Sequence, residues 1–180
     1  MKAFSKNIDA NGYMHQDFGG NCKKPDHFMD GNNVYSFHIG WSEIPINTKS
    51  IAIFYFDYDS IPVCGFPFLH WAVANIDPNI KELNENASVL MQDTLIQGKN
   101  STYSPLFSQD HKPNLSLKTQ LFVGSAPPNC DHIYTVKVYA VNKMLDLKNG
   151  FFVNELMNQL SGNVLDKAEF KFIYKKVGSE

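Results

Sequence analysis

Three apolar runs rich in β-branched and aromatic residues constrain the fold of this chain most: Ile51–Phe56 (IAIFYF), Phe68–Ile76 (FLHWAVANI) and Ile133–Val141 (IYTVKVYAV). Each has the length of a strand. The first is apolar throughout, as a central strand covered on both faces must be. The third alternates, with Ile133, Thr135 and Lys137 on one side and Tyr134, Val136 and Val138 on the other, so one face is expected to be more buried. The strands are not interleaved with helices of the length a parallel crossover needs. The pattern therefore argues for antiparallel pairing and a mostly-β domain.

The remaining segments are read around these runs. Residues 1–33 carry breaks at Gly12, Gly19-Gly20, Pro25 and Asp30-Gly31 and are expected to be irregular. Val34–Ile39 reads as a strand, followed by a turn carrying Trp41 and Pro45. Asp57–Pro67 reads as a loop, Asn84–Leu95 as weakly helical, and residues 97–120 as a long polar excursion of the functional, interfacial or mobile kind. Phe152, Leu156 and Leu160 fall at i, i+4 and i+8, which predicts an amphipathic helix near 151–161 with Gly162 just past its end. Ala168–Tyr174 closes the chain as a last strand. No linker divides it, so residues 1–180 are expected to form a single domain.

Composition removes several classes of function. All 16 basic residues are lysine, and the formal charge is −2. Without arginine there is no bidentate fork for phosphate or guanine, and without a basic run there is little attraction to nucleic acid. Any phosphate site must use Lys, His, hydroxyls or backbone N–H groups. No apolar stretch approaches the ~20 residues of a membrane-spanning helix, and the N-terminus shows no apolar signal-peptide core. Cys22, Cys64 and Cys130 form no zinc-like spacing and read as free thiols, with one disulfide plus an odd thiol as the alternative. A cytoplasmic protein without metal or cofactor is expected.

Chemistry-bearing residues gather at the strand ends. Asp57 and Asp59 are one residue apart and point to one side of an extended chain, where they could bind a ligand or cap a turn. His70 sits inside an apolar strand, as a ligand-facing group or a satisfied core histidine. Gly124, Ser125, Pro127 and Pro128 (GSAPP) make a tight bend, whose N–H donors would come from Gly124, Ser125 and Ala126. His132 and Tyr134 follow it. No GxSxG elbow surrounds Ser125, and no HExxH or HxH spacing supports a metal.

Taken in order, GWSEIP, IAIFYFDYD, FLHWAVANI, LIQGKNS, GSAPP, HIYTVKVYAV and GNVLDKAEF resemble the phosphatidylethanolamine-binding protein family, in its bacterial Raf-kinase-inhibitor-like branch, over residues 32–175. The resemblance implies a Greek-key type β-sandwich of antiparallel sheets with a C-terminal helix, and a pocket for phosphate-like anions and phospholipid head groups. By position, Asp57 and Asp59 match the family's DPDxP carboxylates, and His70 matches its pocket histidine. Gly124, Pro127 and Pro128 match its GxxPP bend, and His132 and Tyr134 its strand start. The chain departs at Tyr58, at the displaced Pro62, at Ile133 and in a longer 101–120 segment, which implies an altered pocket rim.

The expected function is non-enzymatic binding of a small anionic or phosphorylated ligand, with Asp57 orienting His70 or accepting from the ligand's amine. Two alternatives stand beside it. One is inhibition of a partner kinase or protease through surface loops such as 97–120. The other is a His/Asp hydrolase using His70 as base. The resemblance also allows a homodimer.

Overall fold

The structure, a computed structural model, describes residues 1–179. Its strands, numbered along the chain, are β1 (Lys2–Phe4), β2 (Phe28–Met29), β3 (Asn32–Asn33), β4 (Ile39–Ser42), β5 (Ser50–Asp57), β6 (Phe68–Ile76), β7 (Glu82–Leu83), β8 (Ile96–Gln97), β9 (His132–Val141) and β10 (Val164–Tyr174). The helices are α1 (Ile61–Cys64), α2 (Ala87–Leu90) and α3 (Val153–Leu160). The main sheet has the order β10-β9-β5-β6-β8, and every pairing in it is antiparallel. A second sheet, β1-β4-β7, is antiparallel too, and β2 with β3 makes a short ladder. The chain is thus mostly β, with antiparallel sheets and a C-terminal helix, as its pattern predicts.

β5 is apolar at consecutive positions because it has two cores to serve. Ile51, Ile53 and Tyr55 point into a cluster with Phe37, Trp41, Trp71 and Phe122. Ala52 and Phe54 point the other way, into a cluster closed by Leu156 and Leu160 of α3. The i, i+4 spacing of those leucines places both on the buried stripe of α3. The helix starts where the Phe152 N–H donates to Glu155 Oε2 at 2.7 Å. It ends before Gly162, whose φ of +74° is the left-handed conformation glycine adopts at low cost.

Several segments differ from their sequence reading. Val34–His38 is not in a ladder, and strand pairing begins only at Ile39 and runs through Trp41. Its backbone finds partners elsewhere. The Tyr35 N–H donates to Asn33 Oδ1, the His38 N–H to Asn7 Oδ1, and the Ser36 carbonyl accepts from Asn86. Burial of Phe37 holds the segment in the core without a sheet neighbour. Within Asn84–Leu95 only Ala87–Leu90 is α-helical, and the expected loop after β5 contains α1. The 97–120 excursion is pinned by three short 3-10 turns, and the Asn100 amide donates to the carbonyls of Lys118 (2.7 Å) and Leu121 (2.8 Å). Cys22, Cys64 and Cys130 are unpaired.

Candidate functional site

Asp57 ends β5 two residues after Tyr55, so its side chain leaves on the same face of the sheet as the Tyr55 ring. It is almost fully buried, and its Oδ2 lies 2.7 Å from His132 Nδ1 at the start of β9. Its Oδ1 accepts from the Ser60 N–H at 3.1 Å. The Ser60 hydroxyl donates to the Asp57 and Phe66 carbonyls and accepts from the Phe68 N–H, which ties the β5–β6 loop into one turn. The second nitrogen of His132 lies 2.7 Å from the Asn129 side-chain amide. Both nitrogens of His132 are therefore engaged by the protein.

His70 reaches the same place by a different device. Tyr55 pairs with Trp71 and Phe56 with Leu69, so His70 is the extra residue of a β-bulge in β6. A bulge re-aims a side chain that strict alternation would send elsewhere. The His70 ring packs against Tyr55 and Phe68, each at 4.7 Å between centroids, and against Tyr134 at 5.3 Å. Its Nδ1 lies 2.8 Å from the Val123 carbonyl, an acceptor only, so Nδ1 carries the proton. Its Nε2 is then a buried acceptor, and it has no partner among the described residues. Burial lowers the pKa of the ring to about 4, with the hydrogen bond to Val123 opposing the shift, so the imidazole is neutral near pH 7. Tyr134, fully buried and stacked on Phe172, likewise has a hydroxyl without a partner, and burial pushes its phenol well above the ordinary range.

These groups line a cavity of about 220 Å³. Asp57, His70, Gly124, Pro128, His132 and Tyr134 are all in its wall, so six of the strand-end residues singled out from the sequence are brought together. Asp59, Ser125 and Pro127 are not in the lining. Asp59 Oδ2 accepts from the Ile133 N–H at 2.8 Å and latches β9 to the end of β5. The Ser125 hydroxyl lies 2.6 Å from the Tyr55 hydroxyl inside the core. The Pro127 carbonyl accepts from the Val177 N–H.

Two expected roles are corrected. Asp57 does not orient His70: it binds His132, and the Val123 carbonyl orients His70. The Gly124 N–H is not a free donor, because it donates to the Asn33 carbonyl at 2.8 Å. Gly124 matters for closeness instead, since a Cβ there would sit 2.6 Å from the Phe18 carbonyl oxygen. Sequence reading missed Ser60, Cys64 and Phe107 in the wall and Asn129 behind His132. Phe107 comes from the 97–120 excursion, and its ring meets Phe66 and Phe68 at 5.8 Å. The length of that excursion was the one available signal.

The family model for phosphatidylethanolamine-binding proteins matches residues 4–175. The chain belongs to the phosphatidylethanolamine-binding protein family. The uncharacterized protein YxkA of Bacillus subtilis is 36% identical over 166 residues, covering 92% of this chain and 96% of YxkA. The solved structure of the putative family homologue CT736 from Chlamydia trachomatis superposes with a TM-score of 0.74 at 19% identity, and that of YbcL from E. coli with 0.71 at 22%. Each of these matches covers 97% of both chains, and at such identities they speak for the fold.

Within this family pattern the longer 101–120 segment reaches the cavity through Phe107, and the substituted positions Tyr58, Pro62 and Ile133 lie away from it. Tyr58 stacks on Phe56 on the opposite face of the strand end, and Ile133 is about half exposed. Pro62 is exposed in the first turn of α1. None of the three is in the cavity wall, so the altered rim expected from them is not where they act.

Proposed function

We propose that the 220 Å³ cavity binds a small phosphorylated ligand, taken up as a phosphate monoanion, and that the protein works by binding rather than catalysis. The observation that carries this reading is the pair of buried, uncommitted groups in the wall, the His70 Nε2 acceptor and the Tyr134 hydroxyl. A protonated phosphate offers each what it lacks. Its P–OH donates to Nε2, and an unprotonated oxygen accepts from the Tyr134 hydroxyl. No lysine is in the wall, and the carboxylate of Asp57 is, so a dianion would meet an acceptor and a negative charge without a cation to offset them. A hydrolase is disfavoured because, among the described residues, neither Ser60 nor Ser125 is hydrogen-bonded through its hydroxyl to a histidine.

Titration with inorganic phosphate, followed by the histidine ring resonances, tests the reading. His70 signals should move, and affinity should fall about tenfold per pH unit above the second pKa of inorganic phosphate, where the monoanion gives way to the dianion. Unmoved His70 signals at millimolar phosphate, or affinity that rises with pH, would sink it. A second reading, control of a partner kinase or protease through the 97–120 excursion, is favoured by the exposure of Leu106, Phe107 and Leu115 there. Deleting 108–115 should then abolish partner inhibition while His70→Phe leaves it intact.

A further inference from the structure

Asp57 and Tyr58 are neighbours in sequence, and their side chains leave on opposite faces of the sheet. Asp57 enters the cavity described above. Tyr58 enters a second one, of about 490 Å³, between the outer face of the main sheet and α3. Phe54, Phe56 and Tyr139 form its floor, and Met157, Leu160 and Val164 its far wall. Its rings make a continuous surface. Phe56 stacks on Phe54 and on Tyr58 at 5.7 Å, and Phe54 meets Tyr139 edge-on at 5.5 Å. Tyr58 stands where the resembled motif has proline, so this chain supplies a ring that such a motif would not.

Lys137 is the one charged side chain in this lining among the described residues. Its Nζ sits 5.7 Å from the centroid of the Tyr58 ring and 3.4 Å from the Tyr58 hydroxyl. No carboxylate among the described residues comes within ion-pair distance of it, although Glu169 stands opposite across the β9–β10 ladder. An ammonium without a counter-ion, held over an aromatic floor, complements one negative charge attached to an apolar body. The volume falls within the range of about 300–1,000 Å³ that small-molecule sites occupy.

We propose that this cavity is a second binding site, for an amphipathic monoanion: an alkyl or aryl body carrying one terminal carboxylate, with Lys137 as its counter-ion. The apolar body covers Phe54, Phe56 and Tyr139, and the carboxylate accepts from the Lys137 ammonium. The site stands apart from the phosphate reading, because the two cavities open on opposite faces of the sheet and share no lining residue.

Decanoate and decanol, titrated below the micellar range into the full chain labelled at its methionine methyl groups, test this. Decanoate should shift the Met157 methyl saturably. Decanol should bind at least tenfold more weakly. Lys137→Met should weaken decanoate at least tenfold and leave decanol unchanged, and Ser161→Trp, which fills the groove from its rim, should abolish both. Inorganic phosphate should leave Met157 unmoved. Equal affinity for decanoate and decanol in the wild-type chain overturns the proposal, and that comparison stands even if Lys137→Met fails to fold. Absence of a saturable shift overturns it too. So does a sedimenting dimer that Ser161→Trp dissociates, since the groove would then be covered by a second copy of the chain.

Discussion

Lowering the pH from 7.5 to 4.0, in the wild-type chain and in His70→Phe, isolates the energy of keeping one imidazole neutral. The folded His70 titrates at about 4, against an ordinary value of 6.5, chiefly because it is buried. Between those values the unfolded chain takes up a proton that the folded chain does not, so stability is intact above pH 6.5 and is lost as the pH falls toward 4. At about 1.4 kcal/mol per unit, a difference of about 2.5 units amounts to about 3 kcal/mol at pH 4. His70→Phe removes this dependence. It keeps a ring among Tyr55, Phe68 and Tyr134, loses the Nδ1–H bond to Val123 and deletes an unpartnered buried acceptor. The Val123 carbonyl left without its donor costs about 1–3 kcal/mol and the deleted Nε2 acceptor returns about as much, so the variant should match the wild type at pH 7.5 within about 1 kcal/mol. At pH 4.0 it should be the more stable by about 3 kcal/mol. Urea denaturation followed by the fluorescence of the buried Trp41 and Trp71 gives the four values. Their double difference cancels every carboxylate that titrates alike in both proteins. A double difference below about 1 kcal/mol would show that His70 is not held neutral, and the reading of Nε2 as an empty acceptor would fall with it.

Three further outcomes separate the pocket from its scaffold. Asp57→Ala strips the acceptor from the buried His132 Nδ1 and from the Ser60 N–H and should cost about 1–3 kcal/mol or more, as leaving a buried donor unsatisfied does, read as a lower urea midpoint. Asp59→Ala removes only the latch to the Ile133 N–H and should cost about 1 kcal/mol or less, with phosphate affinity unchanged by titration calorimetry. Gly124→Ala drives a Cβ against the Phe18 carbonyl and the Gly19 backbone, neither of which is a flexible end, and should destabilise by about 1–3 kcal/mol or more in the same denaturation assay.

The parts of the site that the sequence made legible are those placed by strand alternation. Asp57 follows Tyr55 by two, and Tyr134 and Val136 share a face of β9, so their sides of the sheet follow from period two alone. His70 is different. Alternation cannot place it beside Trp71 on one core, and only the bulge against Tyr55 and Phe56 does so. Partners across the chain were equally hidden. Asp57 and His132 are 75 residues apart, and nothing local distinguishes a carboxylate that meets His132 from one that meets His70.

The sequence by itself determined the antiparallel, mostly-β architecture, the double-faced central strand and the amphipathic helix near the C-terminus. Those follow from hydrophobic period and length, which are local properties. The tertiary structure alone decided which strand-end residues form a cavity and which become latches. Asp57 and Asp59 look equivalent in DYD, yet one is buried against an imidazole and the other ties down a backbone N–H. It also decided that Tyr58 belongs to a second cavity on the far face. The physical reason is that burial and hydrogen-bond partners depend on contacts between distant segments, and a one-residue bulge or a single long-range bond redirects a side chain without changing the pattern that precedes it.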